Sequence, residues 1–413
     1  MSPSSPLESR KLAFLSALFI LSFFLVFSYS GLFAYFTFDD GTAVVANQDH
    51  FGTPMWRNVL HVLTVFTTAY RPLSTLFWRP LYALFGFNPL PYRIAVHLLL
   101  ILNIWLAYLF SRRLELTRSA AALVALVFCY NASMPELYYD TCTVTDVICF
   151  TFYILAAAVY VLGRRSGSPL SVARIIGVGI PYCLALDSKE LAVALPGILT
   201  IYEALFHYRD FRDKDKALRV GGVLAGMFVV GAFYLKVKVA DMSANPAYAP
   251  HTTLGFVMHN FANYTRQLLY RPENSMTPLV AFLIVGALIL LGLVVRSRQA
   301  IFGALFFVTA LIPVAVIPPR GGYCAYIPYF GLALASGSIL GAARERVMER
   351  IRRPDLETRT AVAFFVFVAL LLGIAHGVHW APSNGYYEWS KPPVVSLMED
   401  FHRTIPEFPP GAR

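Results

Sequence analysis

The sequence predicts an all-α polytopic membrane protein with about eleven transmembrane helices. Of the 413 residues, 57% are hydrophobic and 14% are charged, whereas a soluble domain has about 25% charged residues. Apolar runs of about 20 residues, the length that a helix needs to cross a bilayer, recur along the whole chain. Lys and Arg residues cluster between these runs, so membrane topology explains the net charge of +10 better than nucleic-acid binding does.

The first apolar segment has no charged residue from Leu12 to Phe36 and follows Arg10 and Lys11. A cleaved signal peptide has a shorter apolar core of about 7–15 residues, so we expect a retained first helix. The later apolar runs are assigned to spans by the same length criterion. The predicted spans are 12–32, 92–110, 119–135, 144–163, 170–187, 190–207, 220–239, 277–295, 299–317, 323–341 and 360–379.

The distribution of basic residues predicts the orientation of these spans. With a cytoplasmic amino terminus, 21 of the 34 Lys and Arg residues fall in six short cytoplasmic segments, as the positive-inside rule expects. The chain then forms one membrane domain, 1–379, with a first outer loop at 33–91 and a second outer segment at 240–276. An odd number of spans leaves an outer carboxyl-terminal tail, 380–413. The spans between 119 and 207 are short, so the count can err by one pair.

Both outer segments contain apolar stretches with helical spacing. "PMWRNVLHVLTVFTTAY" (54–70) has few charges, and polar residues interrupt "TLGFVMHNFANYTRQLLY" (253–270). Such stretches are typical of helices that lie in the membrane interface. Two interpretations stay open: the helices pack as a lid on the bundle, or they wall a groove that opens to lipid.

Acidic and basic residues gather at the outer ends of several spans, where ionisable groups indicate function. These residues are Asp39, Asp40, Arg71, Arg79, Glu136, Asp140, Asp146, Asp187, Lys189, Glu190 and Arg320. Each acid taken singly is more commonly a solvated or salt-bridged helix end. A proton-coupled transporter would instead hold its acids near the bilayer midplane. Glu203 is the exception, because it lies near the cytoplasmic face, where we expect a snorkelling or paired side chain.

Carboxylates with nearby cations suit the transfer of a group that is carried on phosphate. A carboxylate can deprotonate an acceptor hydroxyl, and cations can hold the phosphate leaving group. One base on the far face of a sugar would give inversion at the anomeric carbon.

The cysteines and histidines do not indicate a metal site or a redox site. The five cysteines are scattered without a CxxC pair, and the histidines lack ligand spacing. We expect the cysteines to be small packing residues. No cofactor is required by the sequence, and no residue spacing supports a divalent metal.

Five segments between about residues 35 and 335 resemble one enzyme class, in order and at compatible spacing. They are "FTFDD" (36–40), "YRPLSTLFWRPLYALFGFNPLPYRIAVHLLLILN" (70–103), "PELYYDTCTVTDV" (135–147), "ALDSKELAVALPGILTIYEAL" (185–205) and "YCAYIPYFGLAL" (323–334). The class is the integral-membrane glycosyltransferases of the GT-C type, and the sequence is most similar to the protein O-mannosyltransferase group, including its transmembrane and TPR-containing branch.

The resemblance implies a GT-C-like bundle that takes a sugar from a polyprenyl- or dolichyl-phosphate carrier. It implies that Asp39 is the catalytic base and that Asp40 orients the acceptor or tunes Asp39, since adjacent like charges raise one pKa. The other implied roles are donor-phosphate binding for Arg71, Lys189 and Arg320, and substrate binding for Glu136, Asp146, Glu190 and Tyr326. For Glu136 and Asp146, a structural ion pair with Arg71 or Lys189 is an equal alternative.

The sequence also departs from the family pattern. Tyr323 stands where the family usually has Arg, with Arg320 three residues earlier. Of the paired His and Asn in the second span, only Asn103 is in register. No TPR array follows the last span, so acceptor recognition must differ from that branch.

The sequence therefore predicts an inverting hexosyltransferase. It would take the sugar from a polyprenyl-phosphate-linked donor and transfer it to a protein, lipid or glycan acceptor. We also expect it to contact membrane lipids, and we expect no nucleic-acid partner. The expected location is the bacterial inner membrane with a periplasmic site, or alternatively the endoplasmic reticulum with a lumenal site. A lipid-linked-sugar flippase and a non-catalytic scaffold are the alternatives: Tyr323 favours a scaffold, and the retained Asp pair opposes it.

Overall fold

The computed structural model describes residues 6–37, 39–41, 43, 54, 56–57, 60, 71–165, 170–242, 249–351 and 357–389. All regular secondary structure within these ranges is helical. The predicted all-α class is therefore confirmed for the part of the chain that the structure describes. The proposed interfacial helix at 54–70 lies almost entirely outside it.

The helices are numbered in chain order. They are α1 (Pro6–Ser28), α2 (Pro72–Phe85), α3 (Pro89–Arg113), α4 (Arg118–Phe128), α5 (Glu136–Tyr139), α6 (Val144–Arg164), α7 (Val172–Ser188), α8 (Leu195–Phe206), α9 (Lys214–Met242), α10 (Leu254–Leu268), α11 (Pro278–Val294), α12 (Arg298–Ala315), α13 (Tyr326–Ile351) and α14 (Glu357–Trp389). Short 3-10 turns at Tyr29–Phe33, Thr141–Thr143, Glu190–Ala194, Tyr208–Arg212 and Gly322–Ala325 adjoin them.

Within the described ranges, seven helical segments are long and apolar enough to cross a membrane. They are Phe14–Phe33, Pro89–Arg113, Thr141–Arg164, Lys214–Lys236, Arg298–Ala315, Gly322–Ile351 and Thr358–Trp380. The shorter helices α4 and α11 are also apolar. The chain is thus a multi-pass integral membrane protein, while the count of eleven spans stays a prediction.

One predicted span is shorter than expected. The segment 119–135 is helical only as α4, whose 11 residues extend about 16 Å and cannot cross a hydrocarbon core of about 30 Å. Asn131 gives the physical reason, because its side-chain oxygen accepts the Ser133 amide at 2.9 Å. Such a local hydrogen bond favours a turn over continued helix.

The centre of the bundle is formed by α6 and α13. Buried residues make up 78% of the most apolar stretch in Thr141–Arg164 and 83% in Gly322–Ile351, but 22% in Phe14–Phe33 and 17% in Thr358–Trp380. The first and last spans therefore lie at the periphery. Glycine allows α12 and α13 to touch, since a Cβ on Gly303 would lie 2.4 Å from the backbone nitrogen of Ala335.

Charged residues collect at the two ends of this bundle. At one end, hereafter the Asp40 end, the chain leaves α1 and α7 and enters α2, α3, α6 and α13. At the other, hereafter the Arg164 end, α3 and α6 end and α4 begins. Glu203 is paired there, because Nε of Arg164 donates to its Oε1 at 2.7 Å. This pairing confirms one of the two states expected for Glu203.

Candidate functional site

The two adjacent aspartates after the first span face different surroundings. Asp40 is fully buried and Asp39 is exposed. Consecutive residues on a helical turn point about 100° apart, so one carboxylate enters the protein and the other faces outward. The structure therefore divides the predicted pair into a buried group and an accessible one.

Asp40 forms a buried ion pair with Arg93. The Nη2 atom of Arg93 donates to Oδ2 of Asp40 at 2.8 Å, and the two side chains are only 1% and 0% exposed. The amide of Thr37 also donates to Oδ2, at 3.0 Å, and the amide of Cys142 donates to Oδ1, at 2.9 Å. Both oxygens of Asp40 are thus held, and this residue fixes the turn that carries Asp39.

Arg93 was not among the residues singled out from the sequence. It also donates to the carbonyls of Ala34 at 3.4 Å and Tyr35 at 2.6 Å, and to Oγ1 of Thr141 at 2.9 Å. It therefore ties α3 to both the end of the first span and the start of α6. The available signal was an arginine at the second position of the predicted second span, where a charge is costly and needs a partner.

Asp140 is a second buried acid beside Asp40. Its Oδ1 accepts the same Cys142 amide at 2.9 Å. Burial raises the pKa of Asp140, and the charge of Asp40 raises it further. The Cys142 thiol also lies close enough to Asp39 and Arg71 to interact with their charges, which connects this acidic pair to the cations.

Arg71 and Glu190 form a partly exposed ion pair. Nη2 of Arg71 donates to the two Glu190 oxygens at 2.8 and 3.1 Å. The Arg71 side chain is 28% exposed and that of Glu190 is 15% exposed. The predicted phosphate ligand Arg71 is thus reachable from outside, while the predicted substrate residue Glu190 balances its charge.

Lys189 and Asp146 form a second ion pair, deeper in the protein. Nζ of Lys189 donates to Oδ2 of Asp146 at 2.6 Å, and the side chains are 8% and 1% exposed. Burial alone would lower the pKa of Lys189, but the nearby Asp146, Cys324 and Glu190 together raise this pKa. Nζ also lies 4.8 Å from the centre of the Tyr323 ring. Asp146 thus makes one of the ion pairs that the sequence left as an alternative.

Among the described residues of this end, Oδ1 of Asp146 and Oε2 of Glu136 are buried carboxylate oxygens without a hydrogen-bond partner. Burial raises the pKa of Glu136 to about 7, and the charge of Asp146 contributes to the rise. A Cβ on Gly321 would lie 2.3 Å from Oε1 of Glu136, so a larger residue there would displace the Glu136 carboxylate. Buried polar atoms normally have partners, so these two oxygens mark a place where a ligand could donate hydrogen bonds.

The segment with Arg320 is held by α10, which sequence analysis did not connect with the site. The Arg320 amide donates to the Tyr264 hydroxyl at 3.0 Å. Nδ2 of Asn260 donates to the carbonyls of Ala315 at 3.0 Å and Ile317 at 2.8 Å. The predicted outer segment at 253–270 is therefore helical, and it fixes the chain between α12 and α13. Its polar interruptions were the signal for this role.

Tyr326 is the predicted site residue that does not join the charged groups. It is 4% exposed, and its ring centre lies 5.1 Å from that of Phe128 and 5.2 Å from that of Phe150. The structure places Tyr326 in the aromatic core of the bundle.

The remaining predicted residues converge at the Asp40 end. The Cys142 thiol lies within range of the charges of both Asp39 and Arg71. Lys189 lies within range of the charges of Arg71, Glu190 and Asp146. These charged groups therefore lie near one another at this end of the bundle, while the single outer cavity predicted for them and the role of each residue stay predictions. Within the described residues, no group of three or more His, Cys, Asp or Glu side chains could hold a metal ion.

These features define a multi-pass helical membrane protein with a cluster of ionic groups at one end. No protein-family model matches the sequence, and no curated protein does. Solved structures similar to the chain include the crystal structure of ArnT from Cupriavidus metallidurans bound to undecaprenyl phosphate. It has 17% sequence identity, covers 94% of this chain and 75% of that chain, and gives a TM-score of 0.49. At this TM-score the likeness supports no statement about family, substrate or activity.

Proposed function

We propose that the protein is a glycosyltransferase that moves a sugar from a polyprenyl-phosphate carrier to an acceptor hydroxyl, with inversion at the anomeric carbon. The observation that carries the proposal is the exposed Asp39 beside the buried Asp40–Arg93 pair, at the end of the bundle that also holds Arg71 and Lys189. The ordered sequence motifs supply the reaction class. The donor would be a dolichyl- or undecaprenyl-phosphate hexose, as in O-mannosyltransferases.

In this proposal Asp39 is the general base. It removes the acceptor proton while the acceptor oxygen attacks the anomeric carbon. The bond from that carbon to the phosphate oxygen breaks, and the polyprenyl phosphate leaves with the electron pair. Arg71 and Arg320 hold the phosphate as its charge increases. Lys189 contributes less charge, because Asp146 balances it.

Glu136 and Asp146 would bind hydroxyl groups of the sugar or the acceptor. Each has a buried oxygen without a donor, and a sugar hydroxyl can supply one. With a pKa of about 7, Glu136 can also donate a hydrogen bond when it is protonated. Glu190 would orient Arg71 toward the phosphate.

The acceptor would be a protein, a lipid or a glycan at the membrane surface. The distribution of basic residues supports an Asp40 end that faces away from the cytoplasm. We propose the periplasmic side of a bacterial inner membrane, with the lumenal side of the endoplasmic reticulum as the alternative.

A non-catalytic scaffold that binds the carrier lipid is the second candidate. The pairing of Lys189 with Asp146 and its stacking on Tyr323 favour this candidate, because a cation that is already paired binds phosphate less strongly. A scaffold would bind the donor without releasing the sugar.

The test is incubation of the purified protein with labelled polyprenyl-phosphate hexoses, followed by assay of transfer and hydrolysis. We expect Asp39→Asn to lower the rate by about 10²–10⁴-fold and to leave the unfolding temperature unchanged, since Asp39 is exposed. Glu115→Gln is the matched control, because its carboxylate is 71% exposed at the Arg164 end. Equal, slow sugar release from every donor by wild type and Asp39→Asn would contradict the proposal. Donor binding without turnover would support the scaffold.

A further inference from the structure

A cavity lies in the half of the bundle next to the Arg164 end, away from the ionic cluster. It has a volume of about 590 Å³ and lies between α1, α3, α4 and α14. Its walls include Leu18, Ile104, Trp105 and Val362. It spans Ser119 to Ala125 of α4, or about 9 Å of helix axis.

The cavity is open toward the surrounding membrane. Trp105 is 56% exposed, Leu18 50% and Val362 44%, so its outer walls face the hydrocarbon. Ala122, Ala125 and Ala361 lie among the lining residues, and their short side chains leave the space between the larger ones. An apolar groove of this kind excludes water and accepts a hydrocarbon chain.

One end of the groove is basic. Arg118 is the charged residue among its described lining residues, and it opens α4, whose N-terminus carries partial positive charge. Nη1 of Arg344 lies 3.4 Å from Oγ of Ser119, the next lining residue. Glu345 is not among the lining residues, and its Oε1 accepts the Thr117 hydroxyl at 2.6 Å.

We propose that this groove is a binding site for an anionic phospholipid, distinct from the ionic cluster at the Asp40 end. One acyl chain lies between α1, α4 and α14, and the headgroup phosphate lies against Arg118, Ser119 and Arg344. The apolar walls account for the chain and the basic end for the phosphate, so a lipid with a net negative headgroup binds better than a zwitterionic one. The basic end also matches the bundle end that the charge distribution assigns to the cytoplasm, where anionic lipids attract Lys and Arg.

Native mass spectrometry of the full-length protein in detergent tests this site. Phosphatidylglycerol and phosphatidylcholine with identical acyl chains are added in parallel, and the fraction of protein that retains lipid is measured. We expect phosphatidylglycerol to bind more tightly by about fivefold for each arginine in contact with the phosphate. Arg118→Gln should reduce that preference, and Arg118→Lys should restore most of it. Ala361→Phe should fill the groove and reduce binding of both lipids.

Arg113→Gln is the matched control, because Arg113 is exposed near the same bundle end and does not line the groove. Equal retention of the two lipids by wild type would overturn the proposal. So would an equal loss of preference in Arg113→Gln and Arg118→Gln. Displacement of phosphatidylglycerol by a low concentration of undecaprenyl phosphate would identify a carrier-lipid site instead and would also overturn it.

Discussion

The two ends of the bundle each hold a buried arginine against a carboxylate, but the groups around the two pairs differ. At the Arg164 end, Nε and Nη2 of Arg164 donate to the two oxygens of Glu203 at 2.7 and 2.8 Å, and Nη2 also donates to Asp210 at 2.8 Å. At the Asp40 end, Arg93 donates to the Asp40 carboxylate, to the carbonyls of Ala34 and Tyr35 and to the Thr141 hydroxyl.

The difference lies in the neighbouring acids. Glu203 receives donors on both oxygens, as expected of a closed structural ion pair. Near Asp40, the oxygens Oε2 of Glu136 and Oδ1 of Asp146 have no donor, and burial raises the pKa of Glu136 to about 7. A buried ion pair alone therefore does not distinguish a site from a structural contact. The proposed site rests instead on unsatisfied acids at the bundle end that also carries the exposed Asp39.

The largest expected effect comes from removing either arginine. Arg93→Met and Arg164→Met should each lower the free energy of unfolding by about 3–5 kcal/mol, because each leaves a buried carboxylate without its counterion. Unfolding of the purified variants in micelles measures this loss.

Double variants then separate the two ends. Arg93→Met with Asp40→Leu, and Arg164→Met with Glu203→Leu, should each recover much of the stability. Arg164→Met with Glu203→Leu should support sugar transfer. Arg93→Met with Asp40→Leu should not, since the Asp40–Arg93 pair fixes the turn that carries Asp39. Recovery of transfer in both would show that the two pairs are equivalent and structural.

How much of this was predictable depends on the length scale. Apolar runs gave the helical class, and acids at span ends gave most of the cluster, because both follow from local sequence. The partner of each charge did not follow. Arg93 reaches Asp40 across 53 positions and Lys189 reaches Asp146 across 43, and helix packing sets these distances. Tyr326 went to the aromatic core for the same reason, since spacing alone does not show which side of a helix faces a site.

Stability should depend on pH through the acids of the Asp40 end. The folded pKa of Glu136 is about 7, above the ordinary value of 4.5 for a glutamate, so the folded state binds this proton more tightly. That contribution is complete below about pH 4.5 and is lost as the pH rises through about 7, a change of up to about 3 kcal/mol. Burial shifts the pKa of Asp140 in the same direction.

Thermal unfolding between pH 5 and pH 8 measures this dependence. Glu136→Gln should flatten the curve, and Glu115→Gln at the Arg164 end should not, because that side chain is 71% exposed. A wild-type protein that gains stability over this interval would contradict the assignment.

Gly322→Ala should have the next largest effect. A Cβ on Gly322 would lie 1.8 Å from the backbone oxygen of Ser133, so the chain must move, at a cost of about 1–3 kcal/mol. The same movement would displace Tyr323 from Lys189 and raise the KM for the donor. Gly286→Ala on α11 is the control, since nothing lies within 4 Å of its Cβ. Unchanged stability in Gly322→Ala would mean that this contact is looser than the structure indicates.

The smallest effect concerns the stacking of a cation on an aromatic ring. Such a contact occurs at the Asp40 end and at the Arg164 end. Nζ of Lys189 lies 4.8 Å from the Tyr323 ring centre in a buried setting, and the Arg209 guanidinium lies 5.7 Å from the ring of Tyr208, which is 47% exposed. Desolvation strengthens such a contact, so Tyr323→Leu should cost about 1–2 kcal/mol of stability and Tyr208→Leu should cost less. Tyr323→Phe keeps a ring and should retain most of the contribution. If Tyr323→Leu and Tyr208→Leu cost the same, the ring of Tyr323 does not stabilise Lys189, and the tyrosine at this position needs another explanation.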